Sequence, residues 1–198
     1  MKRLLIAMAA MVAMSGVAQA QDIKPYVGVG AGAFGLEYTE PGFNQKSTTF
    51  GGFVKLGVDV NEYVGAELRL ATTSKGSKSY PAGTLGGIVP FDFSLTGQSM
   101  ISYLAKLQFP VAQDFRVYGL IGGTTGKLKR ELSVPVGGRL INDSATKTGF
   151  SYGFGGEYFV ADHVSVGGEW IQYWTDVNLG TGITGRLWSA TGSLNYHF

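Results

Sequence analysis

Cysteine is absent from the chain, charge is scarce, and beyond the first twenty residues no apolar run is long enough to cross a membrane as a helix. Each absence excludes a class. Without cysteine there is no disulfide framework. Charged residues make up 15% of the 198, against about 25% in an ordinary soluble domain. Little charge with 13% aromatic residues is the reverse of a disordered composition. A formal net charge of +2 excludes a nucleic-acid binder that works by bulk charge. Grease does not replace the missing charge, since hydrophobic residues reach only 44%. Glycine, at 31 residues, fills the gap together with serine and threonine. The length accommodates one domain or one closed barrel.

The first twenty residues read as an address. Lys2 and Arg3 form a positive start, an apolar stretch covers 4–17, and Ala18-Gln19-Ala20 has the A-x-A form of a cleavage site. This predicts a secretory signal peptide over 1–20 and a mature domain over 21–198. The apolar run is shorter than the roughly 20 residues of a spanning helix. Once Lys2 and Arg3 are removed, the mature chain balances 14 basic against 14 acidic residues.

After Gln21 the hydrophobic period is two, in segments of ten or more residues. The spacing predicts strands over 25–38, 48–60, 63–73, 97–109, 114–127, 147–160, 163–175 and 186–198. The connections alternate in length. Asn61-Glu62, 110–114 and Ala161-Asp162 are tight, whereas 39–47, 74–96, 128–146 and 176–185 are long and rich in Gly, Ser, Thr and Pro. This predicts an all-β fold, an eight-stranded antiparallel up-and-down sheet with two unlike ends. Short periplasmic turns and long outer loops are the signature of a transmembrane β-barrel.

The two faces of each segment separate a membrane barrel from a soluble one. In 50–60 Phe50, Val54, Leu56 and Val58 stand opposite Phe53, Lys55, Gly57 and Asp59. In 63–71 Val64, Ala66, Leu68 and Leu70 stand opposite Gly65, Glu67, Arg69 and Ala71. The polar face is small and sparsely charged, which suits a crowded narrow lumen rather than water. The greasy face then meets lipid, and the sheet must close to pair its backbone. Aromatics near segment ends, among them Tyr63, Phe109, Phe159, Trp170, Trp174, Tyr196 and Phe198, suit interfacial girdles. The segments 25–38 and 114–127 are too glycine-rich for their inward parity to be read.

Phe50-Gly51-Gly52-Phe53 and the run from Val58 to Leu68 resemble the second hairpin of the OmpA-type eight-stranded outer-membrane barrels, which include OmpX- and opacity-like small barrels. Ala105 to Val111 resembles their fourth strand and following turn, and Gly155-Gly156-Glu157-Tyr158 their sixth strand. Gly192 to Phe198 resembles their closing strand with its terminal aromatic. The resemblance implies export to the outer membrane, lipid and lipopolysaccharide as surroundings, and Tyr196 and Phe198 as the signal read by the barrel-assembly machinery. It also implies a lumen charge network at Glu67, Lys106 and Glu157. Two departures matter. Some members add a peptidoglycan-binding domain after the barrel, and this chain stops at the barrel. The family places an arginine on its seventh strand, whereas 164–169 here carries Gly167 and Gly168, leaving Arg69 to supply a cation from another strand.

The inward parity gathers Lys55, Glu67, Arg69, Lys106, Glu157 and Glu169 in one narrow tube. Buried charges are rare unless paired. Three uses are open: a structural plug, a gate that works by partner exchange, and a catalytic carboxylate pair. The plug is the primary expectation, because eight strands leave an interior that side chains fill. His163 and His197 read as polar residues at the periplasmic interface, and no metal cluster, cofactor loop or nucleophile-base pair stands out, so the chain is not expected to be an enzyme. In the long connections Lys127, Lys129, Arg130, Arg139 and Lys147 are candidates to meet lipopolysaccharide phosphates, or are simply solvated. Val134 to Leu140 resembles a hairpin tip that extends the barrel beyond the membrane. The expected function is a structural or porin-like envelope protein of at most low conductance. The alternatives are a loop-mediated surface binder or adhesin and an OmpW-type small-molecule conduit, the latter disfavoured by a polar lumen.

Overall fold

The computed structural model describes residues 23–82, 89–134, 138–180 and 182–198, without the side chains of 138–142. The expected signal peptide lies outside the described residues. The strands are β1 (Lys24–Glu40), β2 (Phe43–Asp59), β3 (Val64–Thr73), β4 (Gly76–Tyr80), β5 (Phe91–Ala112), β6 (Phe115–Val134), β7 (Gly138–Ala161), β8 (Val164–Gly180) and β9 (Ile183–His197). Every pairing is antiparallel, and β1 lies between β2 and β9, so the sheet closes on itself. The ring has eight positions. β3 and β4 share one of them, both pairing with β5, which reconciles nine segments with an eight-stranded barrel.

Alternation decides what each face meets. Val29, Val54, Leu56, Leu70, Leu107, Phe109, Phe150, Phe154 and Leu194 point outward and are exposed. They form the apolar band that lipid covers. Parity in the glycine-rich strands is set by their neighbours. Tyr26, Gly28 and Phe34 of β1 face inward, as do Arg116, Tyr118, Leu120 and Thr124 of β6. Gly28 has a steric reason to lack a side chain. A Cβ there would lie 2.3 Å from Asn195 Oδ1 and 2.9 Å from Lys55 Cε. Two expected girdle residues belong to the interior instead. Trp174 is buried, its indole N–H donating to the Thr124 carbonyl at 3.0 Å, and Phe159 lies under the Arg116 guanidinium at 4.7 Å.

The long connections are mostly not loops. A membrane crossing takes about 9–11 residues of strand, yet β5, β6 and β7 run for 22, 20 and 24. The surplus stands outside the membrane as a crown, where lipid no longer requires apolar outward residues. The sequence there keeps its alternation, but with Ser, Thr and Lys outside, so it reads as loop. β1 and β2 meet at Pro41-Gly42. Proline supplies the first turn position and Gly42 the left-handed second one, at φ 81°.

Among the described residues the crown is not a closed ring. β7 pairs with β8 only as far out as Tyr152↔Gln172. β2 pairs with β3 only as far as Gly51↔Thr73, and β4 pairs only with β5. Register shifts at Gln172/Trp174 and Trp174/Val177 carry β8 out of the ring. Two leaves result, β8-β9-β1-β2 and β4-β5-β6-β7, facing each other across the lumen axis.

Candidate functional site

The lumen contains two charged layers. The inner one, toward the short turns, centres on Glu157. Arg116 bridges two carboxylates, with Nε 2.7 Å from Glu157 Oε2 and Nη1 2.9 Å from Asp59 Oδ2. Lys106 lies 3.5 Å from Asp59 and 3.6 Å from Glu157. The other oxygen of Glu157 accepts from Asn195 Nδ2 at 2.7 Å and from the Ser165 hydroxyl, and lies 3.2 Å from His197 Nε2.

The outer charged layer centres on Arg69, which is 1% exposed. Its guanidinium holds Glu67 through Nε at 2.7 Å and also through Nη2. It holds Glu169 through Nη2 at 2.9 Å and through Nη1. Tyr118 adds a hydroxyl to Glu169 at 3.0 Å, and Lys55 lies 3.8 Å from Glu67. Tyr26 links the layers, donating to Glu67 at 2.5 Å and accepting from Lys106 Nζ at 3.3 Å. Four cations, Lys55, Arg69, Lys106 and Arg116, thus meet four carboxylates, Asp59, Glu67, Glu157 and Glu169. Fixed charge balances inside the tube, which is what burial demands.

Further out the lumen changes character. Ser102, Thr124 and Ser151 form a hydroxyl chain with links of 2.8 Å. Above it Phe34, Leu36, Leu95, Met100, Tyr173, Trp174 and Leu187 are buried against one another. Between the crown leaves the packing is aromatic: Tyr38 and Phe43 each lie 5.5 Å from Phe93. The expectation of a polar lumen therefore holds only for its inner half. The inward residues of the outer half read as polar loop in the sequence, because their strands carry no apolar outer face to mark them.

All six expected lumen charges lie in this network, Lys55, Glu67, Arg69, Lys106, Glu157 and Glu169 being buried. Asp59 and Arg116 complete it without having been singled out by the sequence, Arg116 because the parity of its glycine-rich strand is not legible there. His197 is corrected from interface to lumen, with 7% exposure. The alternation of 186–198 itself puts it on the inner face. Ser165 is grouped with Glu157 and His197, and it is fully buried. His163 Nδ1 donates to the His197 carbonyl at 2.9 Å, pinning the last strand. Tyr196 and Phe198 are 47% and 65% exposed, with rings 5.3 Å apart.

The outer cations divide. Lys129 pairs with Glu131 at 2.8 Å, and Arg130 pairs with Asp143 at 3.0 Å and donates to Tyr38 at 2.9 Å. The Asp143 carboxyl is held below the usual carboxylate range by the Ser144 backbone N–H and by Arg130. Lys127 is exposed on the outer face, Lys147 lies on the inner face of β7, and the Arg139 side chain is outside the described residues.

A closed antiparallel ring, greasy outside and charge-balanced within, defines an integral membrane β-barrel. The chain belongs to the outer membrane protein beta-barrel domain family, whose model matches residues 4–198. No curated protein matches it at a significant level. Among solved structures it is similar to a major outer membrane protein of Thermus thermophilus, at TM-score 0.62 and 14% identity over 89% of this chain and 99% of that one. It is similar to Neisserial surface protein A at 0.55 and 15%, over 88% and 97%. It is also similar to Ail, the attachment invasion locus protein of Yersinia pestis, in complex with the heparin analogue sucrose octasulfate, at 0.51 and 17%, over 88% and 99%. At these identities the likeness is one of fold.

Proposed function

We propose that the protein is a sealed outer-membrane barrel whose working part is the crown at the cell surface. The observation that carries this reading is the double filling of the lumen. Among the described residues, a charge-balanced inner half and an aromatic outer half leave no file of polar groups from end to end. An eight-stranded interior is only wide enough for its own side chains. What remains free to act is a rigid, strand-built crown, a scaffold on which surface binding is commonly placed. Of the expected functions, the surface binder therefore stands above the porin and the conduit.

Outer-leaflet lipopolysaccharide is the proposed neighbour of the crown's base. Lys127 supports this, being exposed on the outer face two residues beyond Thr125, whose hydroxyl pairs with that of Thr148 at 2.7 Å. Lysine and hydroxyls together suit a phosphate at that depth. A broad polyanion site, of the sort that would take a heparin analogue as Ail does, is less favoured, since Lys129 and Arg130 already serve Glu131 and Asp143. The test of the sealed-barrel reading is a planar-bilayer recording on refolded protein. No steps are expected at any voltage the bilayer survives, and regular single-channel openings of the unaltered chain would overturn it.

A further inference from the structure

The crown's two leaves enclose a polar group that no described residue satisfies. Gln45, on β2, is fully buried, its Oε1 taken by the Tyr80 hydroxyl across the seam. Among the described residues its Nε2 has no partner. Reversing the amide would let its NH2 donate to the Tyr80 hydroxyl, but would leave both the hydroxyl proton and the amide carbonyl without a partner. A buried donor without an acceptor costs about 1–3 kcal/mol. Gln45 shares the buried face of β2 with Phe43, whose ring lies 5.2 Å from Tyr80 and 5.5 Å from Phe93, and Tyr80 lies 5.2 Å from Phe91.

The enclosure also has a means of opening. Among the described residues the last backbone bond joining β2 to the opposite leaf runs from Ser74 N–H to the Phe50 carbonyl at 2.8 Å. Beyond it β4 pairs only with β5, so the seam is closed by side chains alone. The second seam, between β7 and β8, is free of ladder bonds beyond Tyr152↔Gln172. Parting the leaves therefore breaks ring contacts and a few hydrogen bonds, and no ladder.

We propose that the crown is a ligand-binding cleft, closed in this structure, that admits through the β2/β4 seam a small, mostly apolar molecule bearing one hydrogen-bond acceptor, which Gln45 Nε2 engages between the rings of Phe43, Tyr80 and Phe93. The proposal rests on the crown being the working part of the protein. The ligand is flat or slender, because the rings it must separate are nearly in contact. Its acceptor fixes its orientation, and its apolar body replaces ring-on-ring burial with ring-on-ligand burial.

The test uses refolded full-length chain in nanodiscs, with 2-acetonaphthone as the probe, 2-ethylnaphthalene as its counterpart without an acceptor, and empty nanodiscs as the partition control. Ligand-observed NMR is expected to show 2-acetonaphthone binding beyond the empty discs. Gln45→Leu is expected to weaken it about tenfold, the worth of one hydrogen bond, while leaving 2-ethylnaphthalene unchanged. The chain's lack of cysteine permits a clean lock. A Cβ on Gly76 would lie 3.0 Å from Ser47 Cβ, closer than the roughly 3.5–4.5 Å that a disulfide spans, so the two strands take the bridge by parting about half an ångström. The Ser47→Cys, Gly76→Cys pair is expected to bind when reduced and to lose binding when oxidised, its reduced form serving as the folding control. No signal above empty discs overturns the proposal, and so does binding indifferent to the lock or to Gln45→Leu. A silent bilayer trace alongside such a failure would leave the sealed barrel standing and remove only the cleft.

Discussion

Arg69 is the residue whose loss tests the reading of the lumen most directly. It makes four hydrogen bonds to two carboxylates and is 1% exposed. Arg69→Met keeps much of the apolar stem over the Phe53 ring, 5.0 Å from the guanidinium carbon, and removes the charge. Glu67 then retains Lys55 at 3.8 Å and the Tyr26 hydroxyl. Glu169 retains only hydroxyls, from Tyr118 at 3.0 Å and Thr191 at 3.4 Å. Removing one partner of a buried pair costs about 3–5 kcal/mol, because a carboxylate stays behind without its cation. That shifts the folding equilibrium by roughly two to three and a half decades. The assay is urea unfolding in phospholipid vesicles, followed by gel mobility and tryptophan fluorescence. The double change Arg69→Met, Glu169→Gln removes both charges and is expected to recover at least about 1 kcal/mol of the single loss. A single variant within about 1 kcal/mol of the wild type would refute the buried-pair reasoning, as would a double variant no better than the single.

Trp174→Ala should cost about 3–5 kcal/mol through the cavity it leaves, and should introduce a bilayer leak that the unaltered chain lacks. A silent Trp174→Ala barrel would mean that the charged layers seal it unaided. Gly32→Ala should block assembly in a refolding gel assay, since its Cβ would lie 2.3 Å from the Ala190 carbonyl oxygen. Gly168→Ala, whose Cβ meets nothing within 4 Å, should fold at least as well as wild type, alanine losing less chain entropy than glycine. Tyr26→Phe should cost about 1–3 kcal/mol by leaving one acceptor site on Glu67 without its donor, measured by the same urea midpoints. Lys127→Glu should lower lipopolysaccharide co-purification more than Lys129→Glu does, and equal effects would count against a phosphate contact at Lys127.

How far the sequence can be read depends on what each strand faces. Where lipid lies outside, every outward residue from Val54 to Leu56 or from Leu68 to Leu70 is apolar and every inward one is small or charged, so parity and lumen content are plain. In β1 and β6 the same rule fails because glycine occupies lumen positions such as Gly28, making room for Lys55 and Asn195 from neighbouring strands. Glycine carries no polarity to read, so Arg116 stays unassigned until its neighbours are known. Position near the chain end suggests an interfacial His197, but alternation puts it inside, where Glu157 and Ser165 meet it.

By itself the sequence determined a closed, lipid-facing barrel, because alternation needs only local order along a strand and hydrocarbon tolerates no open edge. It also pointed to six of the eight charges in the lumen network. The tertiary structure alone decided that they pair as two layers joined by Tyr26, that the outer lumen is aromatic, and that the supposed loops are strands of a two-leaved crown. Those facts depend on which residues from distant strands arrive at the same height. Register sets that height, and register is a property of pairs of strands, visible only once the strands have met.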